Sequence, residues 1–232
     1  MKVGVTLPQF VDDASVAVTA AARAEQLGLD GVFCFDHLWP IGQRGRPAIS
    51  MPPLLGAVAA ATSTIHVGSL VARIGLVPDA VLIDTFASLE RISGGRLIAG
   101  VGTGDSLSRQ ENDAYGVPFD SPEERRTSMA LVARAVRGLG IPVWVGGGRP
   151  STTALAAEVG AAVNLWEGTA VRVAELSGAG YEVTWGGPLR GDPAAMAEQL
   201  RLLAGSGATW AVGAWPESLE AVAEATTLAR AA

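Results

Sequence analysis

DTFASLERISGGRLIAGVGTGD, residues 84–105, changes its pattern halfway along. The first part reads as the end of an amphipathic helix that Pro78 opens and that runs to about Ile92. Gly94-Gly95 stops it, as glycine commonly does at a helix C-terminus. RLIAGVG (96–102) then reads as a strand that is apolar almost throughout, the pattern of a parallel strand covered on both faces. The unit is therefore helix, tight stop, buried strand, polar loop.

The same beat extends in both directions. Upstream lie strands at 3–8, 31–35 and 65–71, with helices at 14–27 and from Pro52-Pro53 through Ser63. Downstream, Ser121-Pro-Glu-Glu124 is a capping box that starts a helix through Leu139. Strands follow at 141–146, 161–166, 181–185 and 208–215. Helices follow at 151–159, at 169–177, from Asp192-Pro193 through Ala204, and from Pro216 onward. Eight strands, each followed by a helix, predict an α/β TIM (β/α)8 barrel with shortened loops, one domain over 1–232. A doubly wound open sheet is the alternative, and it usually needs fewer units. The longest breaks are the loops 36–50 and 103–120.

Composition narrows the function. The chain is 49% hydrophobic and carries a net charge of -6, which gives no electrostatic case for nucleic acid or an anionic membrane. Its one cysteine, Cys34, excludes an internal disulfide, and MKVGVTLPQF lacks a signal peptide's apolar stretch, so a cytoplasmic setting is expected. No run approaches the ~18 apolar residues of a membrane span. Lys2 is the sole lysine and precedes the first strand, away from the rim where barrel chemistry occurs, so a Schiff-base aldolase is disfavoured.

Active sites of such barrels lie at the C-terminal ends of the strands. That places Asp36 and His37, which follow the second strand, on the catalytic face. His66 opens the third strand and falls on the opposite, structural face. Other polar or aromatic groups ending strands are Gln9, Ser69, Arg73, Thr103, Gly104, Asp105, Asn164 and Trp166. GGGRPS (146–151) runs from a strand into a helix N-terminus, where exposed amides and Arg149 favour an anion, although a ligand-free turn reads equally well. No metal site is expected, and Cys34 lies in an apolar run where a thiol is inert.

Five segments, GVTLPQF (4–10), AARAEQLGLDGVFCFDHLW (21–39), IHVGSLV (65–71), DTFASLERISGGRLIAGVGTGD (84–105) and ENDAYGVPF (111–119), resemble the bacterial luciferase-like superfamily. They are most similar to its branch dependent on the deazaflavin coenzyme F420. The resemblance covers at least residues 1–170 and implies F420, with FMN as the alternative, bound at the C-terminal rim. It implies a ring seated against Ser69, Leu70, Val71 and Ala72, with a non-proline cis peptide at Leu70–Val71 or its neighbour. Thr103 and Gly104 would join the cofactor site, and the phosphate-bearing tail would lie towards Gly146, Gly147, Gly148, Arg149 and Ser151. His37 matches the active-site histidine of F420-dependent sugar-phosphate dehydrogenases, and Asp105 stands where those enzymes carry a catalytic glutamate, one methylene longer.

The expected activity is hydride transfer between F420 and a small organic substrate. His37 would be the general acid or base, Asp36 its orienting neighbour, and Asp105 the acidic partner. Trp39, Gln9 and Trp166 would line the substrate pocket. Rival readings are an FMN-dependent monooxygenase fed by a partner reductase, a flavin- or F420-binding protein without catalysis, and an unrelated phosphate-binding isomerase barrel. The missing rim lysines argue against a sugar phosphate, and the resemblance leaves the oligomeric state open, with a homodimer as one option because dimers are common in the family.

Overall fold

Gly94 and Gly95 do stop the helix. Both adopt positive φ, 64° and 87°, a conformation open to glycine and costly to most other residues. They end α3 (Asp79–Ser93), and the chain turns into β5 (Leu97–Gly102), all of whose residues are buried. The computed structural model describes residues 1–216 and 218–231. Before α3 lie β1 (Lys2–Thr6), α1 (Ala14–Gln26), β2 (Gly31–Cys34), α2 (Met51–Ala61), β3 (His66–Ser69) and β4 (Ala72–Arg73). After β5 come α4 (Arg109–Tyr115), α5 (Pro122–Gly138), β6 (Val143–Gly146), α6 (Pro150–Val159) and β7 (Ala162–Trp166). The chain closes with α7 (Ala170–Gly178), β8 (Val183–Gly187), α8 (Pro193–Gly205), β9 (Ala208–Gly213) and α9 (Leu219–Arg230).

Every strand pairing is parallel, and the order β3-β2-β1-β9-β8-β7-β6-β5-β4 closes through an added β3–β5 pairing. The sheet is a barrel, not the open alternative. The expected third strand, 65–71, is two short strands separated by a cis peptide at Leu70–Val71. β3 pairs β5 at Val67↔Leu97 and Gly68↔Ile98, and β4 resumes the pairing at Ala72↔Val101 and Arg73↔Gly102. Two further expectations shift. The loop 103–120 contains α4, and the last helix starts at Leu219 with Ser218 as its N-cap, not at Pro216; Glu217 lies outside the described residues.

The interior and exterior of the barrel are separate cores. Outside, aliphatic side chains of the strands pack against the alanine-rich faces of the helices. Inside, Phe33 stacks on Trp144 at 5.0 Å between centroids, and Trp210 meets both edge-on at 5.8 and 5.4 Å. Glycine makes room for these rings: a Cβ on Gly68 would stand 2.6 Å from the Ile98 carbonyl oxygen and 2.8 Å from the Phe33 ring. Leu70, Ile98, Ala162 and Val212 complete this interior cluster, with Val71 packed against it.

Candidate active site

β2 ends at Cys34, and the next three residues surface at the rim. Gln9 sets that exit. Its Oε1 accepts from the Phe35 N–H at 2.5 Å and its Nε2 donates to the Phe35 carbonyl at 3.0 Å. Gln9 is fully buried. Its amide therefore extends the β1–β2 pairing. Asp36 and His37 come next, both half-buried. Asp36 Oδ2 accepts the Arg73 N–H at 2.8 Å. Burial lifts the Asp36 carboxyl above its usual range, against the pull of that N–H and of the Arg73 charge.

The partner of His37 is Glu111, not Asp105. His37 Nδ1 lies 3.2 Å from both Glu111 carboxylate oxygens. Glu111 Oε1 also accepts the Leu38 N–H at 2.7 Å, and Oε2 accepts from Arg73 Nη1. Burial works against the Glu111 charge, and the His37 hydrogen bond, the Leu38 N–H and Arg73 outweigh it, so its carboxyl lies below the usual range. An ionised carboxylate only accepts, so Nδ1 carries the ring proton. Nε2 has no hydrogen-bond partner among the described residues. Asp105 turns elsewhere: exposed, it caps a short 3-10 turn, accepting from the N–H groups of Leu107 at 2.9 Å and Ser108 at 3.3 Å. Six residues further on, α4 returns Glu111 to the rim. The signal available in the sequence was the ENDAYG run, an acid one helical segment beyond the glycine motif.

Beside this pair lies the break between β3 and β4. Ser69 is buried, its hydroxyl donating to the Gly100 carbonyl at 2.7 Å, and Leu70 and Ala72 are buried with it. Val71 projects over the barrel mouth: Cβ atoms on Gly100, Gly102 and Gly146 would stand 3.0, 2.5 and 3.2 Å from its methyl groups. Thr103 and Gly104 follow on the same rim, half-buried, with Gly104 at φ 67°. Trp166 is 44% exposed and lies across the mouth, edge-on to Phe35 at 5.5 Å. Trp39 sits in the 36–50 loop with Arg44 over its ring. Asn164 and Thr184, hydrogen-bonded at 2.9 Å, form a buried polar pair.

Residues 1–138 match the family model described as luciferase-like monooxygenase. The chain belongs to the luciferase-like monooxygenase family. It is 31% identical over 164 residues to a protein of Beutenbergia cavernae named F420-dependent glucose-6-phosphate dehydrogenase, covering 59% of this chain and 48% of that one. A protein of the same name from Nakamurella multipartita is 41% identical over 90 residues, 38% of this chain and 26% of that one. The chain thus spans half or less of the length of these curated relatives. Among solved structures, an F420-dependent secondary alcohol dehydrogenase in complex with an F420-acetone adduct superposes with a TM-score of 0.82 at 15% identity, covering 99% of each chain. A coenzyme F420-dependent tetrahydromethanopterin reductase from Methanopyrus kandleri gives 0.75 at 15% identity, over 97% of each chain. These two share the luciferase-like barrel fold.

In this luciferase-like barrel the residues at the mouth fit a flat ring with an anionic tail. Gly100, Gly102 and Gly146 present no side chains there, so Val71 and the β3–β4 break form a low platform. The Gly146-Gly147-Gly148 turn, with Gly147 at φ 118°, leads into α6, which has no side-chain N-cap; Arg149 and Ser151 are exposed at its start. Free amides and the helix dipole there favour a phosphate. On the outer side of Asp36 and His37 is a half-enclosed hollow of about 380 Å³, floored by Met51, Leu76 and Leu82 and edged by Val81 and Tyr115. Lys2 and His66, by contrast, meet at 3.3 Å beside Trp210, at the N-terminal ends of β1 and β3 and far from this rim. Burial pushes the Cys34 thiol up, well out of the reactive range.

Proposed function

We propose that the protein is an F420-dependent oxidoreductase acting on a small, uncharged organic substrate such as an alcohol or carbonyl compound. One observation carries the reading: His37, fixed through Nδ1 by Glu111, keeps Nε2 free on the same rim as the β3–β4 platform. F420, when bound, supplies or accepts the hydride. Leu70, Val71 and Ala72 would support its ring, Thr103 and Gly104 its edge, and Gly146, Gly147, Gly148, Arg149 and Ser151 its phosphate-bearing tail. His37 Nε2 would take the proton from a substrate hydroxyl on oxidation and return it on reduction, the complement of a hydride moving to or from carbon. Trp39 and Trp166 would shield the reacting carbon from water. Asp36 holds the strand exit through Arg73 and need not touch the substrate.

The relatives' names support the cofactor. Their substrate is a separate matter: the chain's single lysine lies on the far face, and the hollow beside His37 is mostly apolar. A sugar phosphate would have few fixed cations to meet there. The test is turnover of F420, followed by its visible absorbance, against short-chain alcohols, ketones and glucose 6-phosphate. His37→Ala should lose at least about 100-fold in kcat, the usual scale of general acid–base catalysis, and keep cofactor affinity. A variant with intact kcat would end the assignment of His37.

A further inference from the structure

Arg73 touches both sides of the site. It lies two residues beyond the cis Leu70–Val71 peptide, in β4. Its backbone N–H holds Asp36, immediately before His37, at 2.8 Å. Its buried guanidinium donates through Nη1 to Glu111 Oε2 and to the Ser108 carbonyl at 3.0 Å, and through Nη2 to Asn112 Oδ1 at 3.1 Å. Asn112 in turn donates to the Gly75 and Pro118 carbonyls, both at 2.8 Å, fixing α4 against the rim. Glu111 is therefore shared between one permanent cation and one titratable ring.

We propose that Arg73 is a positioning residue: its guanidinium offsets the charge of Glu111, so that Glu111 fixes the His37 ring through Nδ1 as a hydrogen-bond acceptor and leaves Nε2 available for proton transfer. A buried carboxylate with the imidazole as its only counter-ion would draw a proton onto that ring. With Arg73 present the carboxylate acts on His37 as a hydrogen-bond acceptor. Asp36 from the β2 exit and Glu111 from α4 adjoin the ring, Tyr115 of α4 lines the same hollow, and Arg73 of β4 meets Glu111, with Asp105 of the 3-10 turn near its guanidinium. Of these, Glu111 alone contacts the imidazole. The proposal rests on His37 as the proton carrier, but its test needs neither cofactor nor turnover.

The chain has only two histidines, so nitrogen-detected NMR of the imidazoles resolves His37 directly, and His37→Ala assigns it. Arg73→Met should raise the His37 titration midpoint by about one pH unit, the scale of an unopposed neighbouring carboxylate. Glu111→Gln, leaving the guanidinium unpaired, should lower it. The Arg73→Met/Glu111→Gln pair removes both buried charges and should bring the midpoint back to within about 0.3 of wild type, since balanced charges act on the ring with opposite sign. If Arg73→Met alone fails to fold, the fall in Glu111→Gln and its recovery in the double variant decide the matter. An unmoved midpoint in folded Arg73→Met, or a double variant that stays displaced, would overturn the proposal. The outcome is separable from the proposed function: the midpoints could behave as stated while His37→Ala still turns over, in which case only the catalytic role fails.

Discussion

At the scale of single residues the site depends on what is absent as much as on what is present. A Cβ on Gly102 would stand 2.5 Å from a Val71 methyl group, a side chain that can rotate away. Gly102→Ala should therefore fold, and its displaced Val71 should weaken cofactor binding at least about 10-fold, since a small misfit on a binding platform is felt directly; fluorescence titration checks this. Gly100→Ala is harsher, because its Cβ would stand 2.2 Å from the Ser69 backbone carbonyl oxygen, which belongs to the barrel seam. That variant should lose about 1–3 kcal/mol of stability in chemical denaturation, the usual cost of overpacking. His37 was legible from sequence because it directly follows a buried strand. Glu111 was not, because its approach depends on a helix hidden in what reads as a loop. Gln9 shows a second use of a polar residue at a strand end: its amide completes a backbone ladder with Phe35.

At the scale of elements the period switch from helix to buried strand located the barrel strands and most of the helices. It did not show the break at Leu70–Val71, because IHVGSLV has the composition of one continuous strand. α4 escaped for lack of apolar periodicity: RQENDAY is polar, and Arg73 with Asn112 docks it instead. A similar polar tether holds α1 to the turn before β3. Glu25 Oε1 accepts the N–H groups of Ser63, Thr64 and Ile65 at 2.9, 2.6 and 2.9 Å. Burial opposes its charge, but these bonds prevail and pull its pKa from 4.5 down to about 2. A carboxylate depressed in the folded state stabilises above the unfolded value and loses that contribution as pH falls from 4.5 to about 2. Glu25→Gln should thus lower the melting temperature at neutral pH, with the gap from wild type narrowing through that acid window. A gap of constant size from pH 6 to about pH 2 would show that the charge contributes nothing there.

At the scale of the whole molecule, parallel closure places the ends of all the strands on one rim, and the aromatic plug of Phe33, Trp144 and Trp210 closes the barrel below it. His37, Glu111, Arg73 and the β3–β4 platform meet on that rim. The family resemblance read from the first 170 residues agrees with the family match over residues 1–138. Among the described residues no helix is long and apolar enough to cross a membrane. The central claim is that this rim takes F420 as its cofactor. Titrating the purified chain with F420 and, separately, with FMN, following the fluorescence of each, tests it most directly. Saturable F420 binding in the micromolar range or tighter is expected, with FMN binding at least about 10-fold weaker (a difference of about 1.4 kcal/mol) and loss of F420 affinity in Gly102→Ala. Tight FMN binding with none for F420 would contradict it.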